Sequence, residues 1–213
     1  LLSIGVSSLI IILGSYITHG FNRTTTTAVI GMILTIVITG ILATTAVEST
    51  RLTGFADEEA IYLNFNTGGT LDFSGLLLGA ILIGLLGTLY DASISQAIAV
   101  EEIYATNPKL TKNEVYKKVL RIGREHIGAL VDTLAIAYVG AALPLLLFFV
   151  HATNLPFGMI INREIFATEI IRIVIGSIGV ILAVPLTTFI STQMLVGRPI
   201  TRTHSSHSHH HHH

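Results

Sequence analysis

GLLLGAILIGLLGTLYDASISQAIAV, residues 75–100, carries one charge, Asp91, and no lysine or arginine. As a helix rising 1.5 Å per residue it measures about 39 Å, more than the hydrocarbon thickness of about 30 Å. Lipid offers no hydrogen-bond partners, so such a run reads as a membrane-crossing helix. A carboxylate there costs several kcal/mol unless it is paired, solvated or protonated, which makes Asp91 a functional-site candidate. Helical spacing places Gly84, Gly87, Thr88, Asp91 and Ser95 on one face, with Gly75 and Gly79 forming a GxxxG pair nearer its start. Small residues permit close backbone approach, so this stripe is expected to face protein.

The rest of the chain has the same character. It is 51% hydrophobic and 12% charged, about half the charged share of a soluble domain, with mean hydropathy +0.72. Four further stretches are long enough to cross a bilayer, so spans are expected near residues 1–18, 27–48, 74–100, 126–151 and 165–192. Thr35, Thr39 and Gly40 in the second and Pro185 in the fifth are tolerable in membrane helices. Cysteine is absent, which excludes disulfides and thiolate metal sites.

Lysine and arginine counts set the expected orientation. With the first, third and fifth spans running inward, Arg23, Lys109, Lys112, Lys117, Lys118, Arg121, Arg124, Arg198 and Arg202 lie inside. Arg51, Arg163 and Arg172 stay outside, together with Glu48, Asp57, Glu58, Glu59, Asp72, Glu164 and Glu169. The N-terminus is therefore expected outside and the C-terminus inside. Residues 1–203 read as one transmembrane domain. Residues 204–213, ending in histidines, read as a purification tag. A start at Leu1, without Met and already inside an apolar helix, suggests a piece of a longer polypeptide.

Two loops carry local signals. Asp57, Glu58 and Glu59 before Ala60-Ile61-Tyr62-Leu63 resemble an acidic helix start, giving a solvated interfacial helix that ends in the turn Asn66–Thr70. Asn107-Pro108 should stop the third span, and Thr111 with Glu114 should form a capping box. Val115, Val119 and Ile122 recur at helical spacing among Lys112, Lys118, Arg121 and Arg124, predicting a cytoplasmic amphipathic helix along the membrane surface. The expected fold is thus an all-α integral membrane bundle of about five transmembrane helices, with that amphipathic helix between the third and fourth.

Asp132 adds a second carboxylate. Asp91 lies ten residues before Glu101, about 15 Å of helix, and Asp132 eight after Arg124, about 12 Å, so both fall at similar depth. On facing helices they would share a watery pocket in which desolvation and mutual repulsion favour protonating one of them. Ser93, Ser95, Gln96 and Thr133 could supply polar partners there, and such a pocket suits H⁺ or Na⁺. The competing reading is structural: Asp91 pairs with Arg124 or caps a backbone group.

Arg124, Glu125 and His126 cluster where the fourth span begins, as an interfacial anchor or, through His126, a proton gate. His151 reads as interfacial. Glu169 and Arg172 can pair along one helix face, and Gly176, Ser177 and Gly179 suggest another close helix contact. No HExxH, GxSxG or GxxxxGK[ST] pattern occurs, so no enzyme, cofactor or metal is expected. The basic residues are explained by topology, which leaves none for nucleic acid. The expected partners are the lipid bilayer, an unknown transported substrate, and a second copy or partner subunit, since five helices with small-residue faces need not enclose a pathway alone.

The strings GLLLGAILIGLLGTLYDASISQAIAVEEI, VLRIGREHIGALVDTLAIAYVGAALPLLL and EIIRIVIGSIGVILAVPLTTFIS together resemble the YibE/F family of bacterial multipass membrane proteins. The likeness runs from about Thr26 to Ser191, and Asp91, Gly123, Arg124, Thr133, Leu134 and Tyr138 match its pattern. That pattern has Asp in the place of Glu125 and Asn in the place of Asp132. The resemblance implies the bacterial cytoplasmic membrane and an extracytoplasmic portion before these helices. A weaker similarity joins the Asp-bearing helix and basic hairpin to the membrane half of SecD and SecF, where an intramembrane Asp couples proton flow to export. The expected function is a transporter or exporter core, proton-coupled through Asp91 with Asp132 tuning it. The alternative is a non-transporting scaffold that assists secretion.

Overall fold

The computed structural model describes residues 2–55, 58–151 and 156–198. Asp57, Arg202 and the histidine tract lie outside the described residues. Four helices are long and apolar enough to cross a bilayer: α1 (Leu2–His19), α2 (Arg23–Thr50), α4 (Phe73–Thr106) and α8 (Glu164–Leu195). α5 (Lys112–Ala141) and α6 (Leu143–His151) are long and apolar enough only together, as a pair bent by 61° that makes a fifth crossing if it is one span, and two short helices, α3 (Glu58–Asn66) and α7 (Phe157–Ile161), complete the described set.

Cross-helix bonds fix the directions. Ser3 donates to the Gly75 carbonyl at 3.3 Å, joining the starts of α1 and α4, and Thr53 N–H reaches Glu164 Oε1 at 2.6 Å, joining the end of α2 to the start of α8. At the other end Thr24 donates to Glu101 at 2.5 Å and Lys112 Nζ to the Gln193 carbonyl at 3.2 Å. Thus α1, α4 and α8 run one way and α2 and α5 the other. We call the two ends the Leu2 end and, after the α4–α5 connection, the hairpin end.

Capping chemistry sets the boundaries. Asn22 and Asp72 accept the Thr25 and Gly75 amides at 2.6 and 3.0 Å, satisfying donors that the first turns of α2 and α4 leave free. α2 stops at Arg51, which adopts the left-handed conformation at φ 55 and returns its N–H to Val47 and Glu48. α4 stops at Thr106, before Asn107-Pro108, and both bonds of the Thr111–Glu114 capping box are present. Of the acidic run, Glu58 and Glu59 open α3, and the turn after Asn66 uses positive φ at Gly68 and Gly69.

The α5 region departs from the sequence expectation. The amphipathic stretch is the first half of α5, continuous through Arg124, Glu125 and His126, and no separate surface helix forms. Backbone hydrogen bonds carry on where side-chain polarity changes, and burial of Val115 and Val119 against Val100 and Leu195 holds the segment to the bundle. The break comes later. α6 leaves α5 at 61°, with Pro144 as its second residue, a position in the first turn where the missing N–H leaves no helical bond unmade.

The core lies between α2, α4 and α8, where Met32, Ile36, Leu85, Leu89, Ala183 and Val184 are fully buried. Closest approach is at Gly31, where any side chain would overlap Thr187. Likewise Gly179 meets Thr39, and Gly176 meets Leu134 and Tyr138.

Candidate functional site

α4 has two polar faces, and the fold buries one of them. Ser93 and Gln96 point inward with Leu89, Ala92 and Ala97, while Asp91, half a turn away, lies on the exposed face with Gly84, Gly87 and Ser95. Of the small residues there, Gly84 meets the Tyr138 hydroxyl, which is buried without a partner among the described residues. A Cβ on Gly87 would meet nothing within 4 Å. The stripe therefore faces away from the other helices over most of its length. Gly75 and Gly79, nearer the Leu2 end, lie against Ser3 of α1, and Gly75 also carries the Asp72 cap.

Among the described residues, Asp91 and Asp132 do not meet in the shared pocket expected of them. On α5, Gly123, Leu134 and Tyr138 face inward, and Asp132, two residues from Leu134, points to the opposite side. Asp91 and Asp132 are both exposed, and neither makes a hydrogen bond or ion pair with any described residue. Their heights are nevertheless close. Gly84 lies beside Tyr138 and Gly123 beside Gln96, a register that sets Asp91 opposite the turn just before Asp132. Thr133 donates to its own helix at Ala129, 2.7 Å away.

The inner cluster is better organised. Ser95, Gln96, Ala99, Ile122, Glu125 and His126 line one open cleft of about 450 Å³ between α4 and α5 toward the hairpin end. Ser95 and Gln96, expected as polar partners of the carboxylates, are thus brought together with Glu125 and His126. Asp91, Asp132 and Arg124 do not line the cleft. Ser95 is one helical turn from Asp91 on the same face, so the cleft ends next to the carboxylate.

Behind Gln96 runs a seam of hydroxyls that joins the three core helices. Thr188 donates to Gln96 Oε1 at 2.9 Å, Thr187 to Ser93 at 3.1 Å and Ser191 to Thr27 at 3.0 Å. Thr24 and Glu101 close it at the hairpin end. The signal for it in the sequence is periodic: Thr187, Thr188, Ser191 and Thr192 at i, i+1, i+4 and i+5, facing Ser93 and Gln96 at i, i+3 and Thr24 and Thr27 at i, i+3. Such bonds lock membrane helices at about 0.6 kcal/mol each.

Several other polar groups in the spans have partners, whereas the hydroxyls of Ser7, Ser15, Thr39 and Thr168 are buried with none among the described residues. Arg172 pairs with Glu169 at 2.7 Å, both partly buried. Tyr90, next to Asp91, bonds through its hydroxyl to His19 Nδ1 at 2.7 Å and ties α1 to α4. His151 bonds the Leu147 carbonyl of its own helix. Among the described residues no three His, Asp or Glu side chains converge as a metal ion would require.

The family model for YibE/F-like proteins matches residues 1–197, nearly all the described chain. No curated protein and no solved structure matches.

Proposed function

The chain belongs to the family of YibE/F-like proteins, and from that premise we propose that it is the membrane core of a transporter or exporter whose coupling group is Asp91. The observation that carries this reading is the path from the hairpin end: the cleft of Glu125, His126 and Gln96 opens at Ser95, one turn from Asp91. Water in the cleft brings protons to within one helical turn of a carboxylate set in an apolar helix, where a charge is costly unless it is paired or solvated. His126 lines this route beside Glu125. Asp132, turned away from the cleft, acts at most through its charge.

The bare face of α4 defines the form of the machine. Lipid is a poor neighbour for Asp91, and the small residues on either side accept a close backbone. The pathway is therefore completed by a second protein surface, from another copy or a partner subunit. We place the bundle in the bacterial cytoplasmic membrane with the Leu2 end outside and the basic hairpin inside, following the lysine and arginine bias. The reading assigns the chain no covalent chemistry.

Asp91→Asn tests it. In reconstituted vesicles under a pH gradient, the variant should fold and insert normally but lose coupled proton movement. Unchanged proton flux would reject Asp91 as the coupling group. A second reading, a scaffold for secretion, draws on the same bare face and on the closed hydroxyl seam, which serves assembly without ionisation. Tolerance of Asp91→Asn together with a stoichiometric secretion partner would establish it.

A further inference from the structure

α3 is the most exposed apolar element at the Leu2 end. Ile61, Tyr62 and Phe65 are 57%, 73% and 90% exposed, and their spacing confines them to about 100° of the helix circumference. Glu59, Asn64 and Asn66 occupy other directions. With Phe65 almost wholly uncovered, no other part of the described chain accounts for this face.

Its height is fixed by its tethers. Thr53 and Gly54 donate their amides to Glu164 Oε1 at 2.6 and 2.7 Å, fastening the loop to the first residue of α8. The Phe55 ring packs at a tilt against Phe73, the first residue of α4, with ring centroids 4.4 Å apart. Only two residues separate Phe55 from Glu58, at most about 10 Å of chain. Beyond Asn66 the chain turns at Thr67–Gly69 and returns to the Asp72 cap. The headgroup layer on each side of a bilayer is about 5–8 Å thick. α3 is thus held at the level where the spans leave the hydrocarbon.

We propose that α3 is a lipid-anchoring helix, lying in the headgroup layer at the Leu2 end with Ile61, Tyr62 and Phe65 set into the upper acyl chains. At nine residues, about 13 Å, it cannot cross the membrane. Its apolar stripe matches the depth reached by helices that lie on a bilayer, about 5–10 Å. Glu59 adds no attraction to anionic lipid, so insertion is apolar and does not need charged headgroups. The anchor pins the loop that links α2 to α4 and so steadies the Glu164 clamp.

The chain contains no tryptophan, so one substitution installs a unique fluorophore. The full chain carrying Phe65→Trp, reconstituted in zwitterionic vesicles, should emit at short wavelength and be quenched about twofold by lipids brominated in the upper acyl chain. Asn64→Trp should emit as if in water and be quenched less, and Tyr62→Trp should repeat the Phe65 result. Water-like emission from both Phe65→Trp and Tyr62→Trp would overturn the proposal. So would short-wavelength emission unaffected by brominated lipid, which would show that protein covers the stripe.

Discussion

Replacing glycine by alanine at two positions should have opposite effects, because one faces a helix and the other faces nothing in the chain. At Gly31 the new Cβ would fall 2.9 Å from both Cα and Cβ of Thr187, with the Thr187 hydroxyl nearer still. Carbon atoms rest at about 3.5–4.0 Å, so α2 and α8 must part locally by about 0.6–1 Å. The Ser191–Thr27 bond between these helices, at 3.0 Å, would stretch beyond useful range, and the crowded Thr187 hydroxyl would be pushed off its 3.1 Å bond to Ser93 of α4. Overpacking costs about 1–3 kcal/mol and two lost interhelical bonds about 1.2 kcal/mol, while the helix propensity of alanine returns about 1 kcal/mol. The net for Gly31→Ala is a loss of about 1–3 kcal/mol. At Gly87 a Cβ meets nothing within 4 Å, leaving only the propensity gain of about 1 kcal/mol. The measurement is unfolding by sodium dodecyl sulfate in mixed micelles, followed by circular dichroism. Equal stability of the two variants, or a less stable Gly87→Ala, would refute the packing argument.

Further outcomes follow from the caps and clamps. Glu164→Ala releases the Thr53 and Gly54 amides, so tryptic cleavage at Arg51 should rise about tenfold, the equivalent of about 1.4 kcal/mol. Thr111→Ala breaks the capping box and should cost about 1 kcal/mol, seen as about fivefold faster amide exchange in the first turn of α5. Gly123→Ala would press on Val184 and Gln96, at 2.6 and 2.7 Å, and break the Thr188–Gln96 bond; a loss of about 1–3 kcal/mol is expected in the same micelle titration.

Much of the bundle is legible because lipid imposes a simple rule: long apolar runs become helices, and their ends carry recognisable chemistry. α2, α4 and α8 begin and end close to the residues that hydropathy, Asn107-Pro108 and the Thr111 cap indicate. The misread region is α5. A charged cluster reads as a helix boundary in the sequence, but Arg124, Glu125 and His126 interrupt hydropathy without interrupting backbone bonding, and the break falls just before Leu143-Pro144 instead. The site is half legible for a geometric reason. Periodicity groups Gly84, Gly87, Asp91 and Ser95 correctly on one face but cannot say which way that face turns. Ser93 and Gln96 offered a competing face, and their bonds to Thr187 and Thr188 drew that one inward. Pairing Asp91 with Asp132 failed similarly: matching height is a property of each sequence alone, whereas mutual orientation depends on how two helices pack.

The length of α4 has a consequence for the basic hairpin. Thirty-four residues measure about 51 Å, some 20 Å more than the hydrocarbon they cross. The first half of α5 runs alongside that excess, with Val115 and Val119 packed on Val100, so Lys112, Lys117, Lys118 and Arg121 are strung along a rising column. Electrostatic attraction to a bilayer fades over about 8 Å at physiological ionic strength. In the orientation proposed above, Arg121 and Arg124, lowest on the column, come nearest the membrane surface. Lys112, near the tip, donates to the Gln193 carbonyl and side chain of α8 at 3.2 and 3.1 Å, so the hairpin divides its cations between the membrane at its base and a tie back to the bundle at its top.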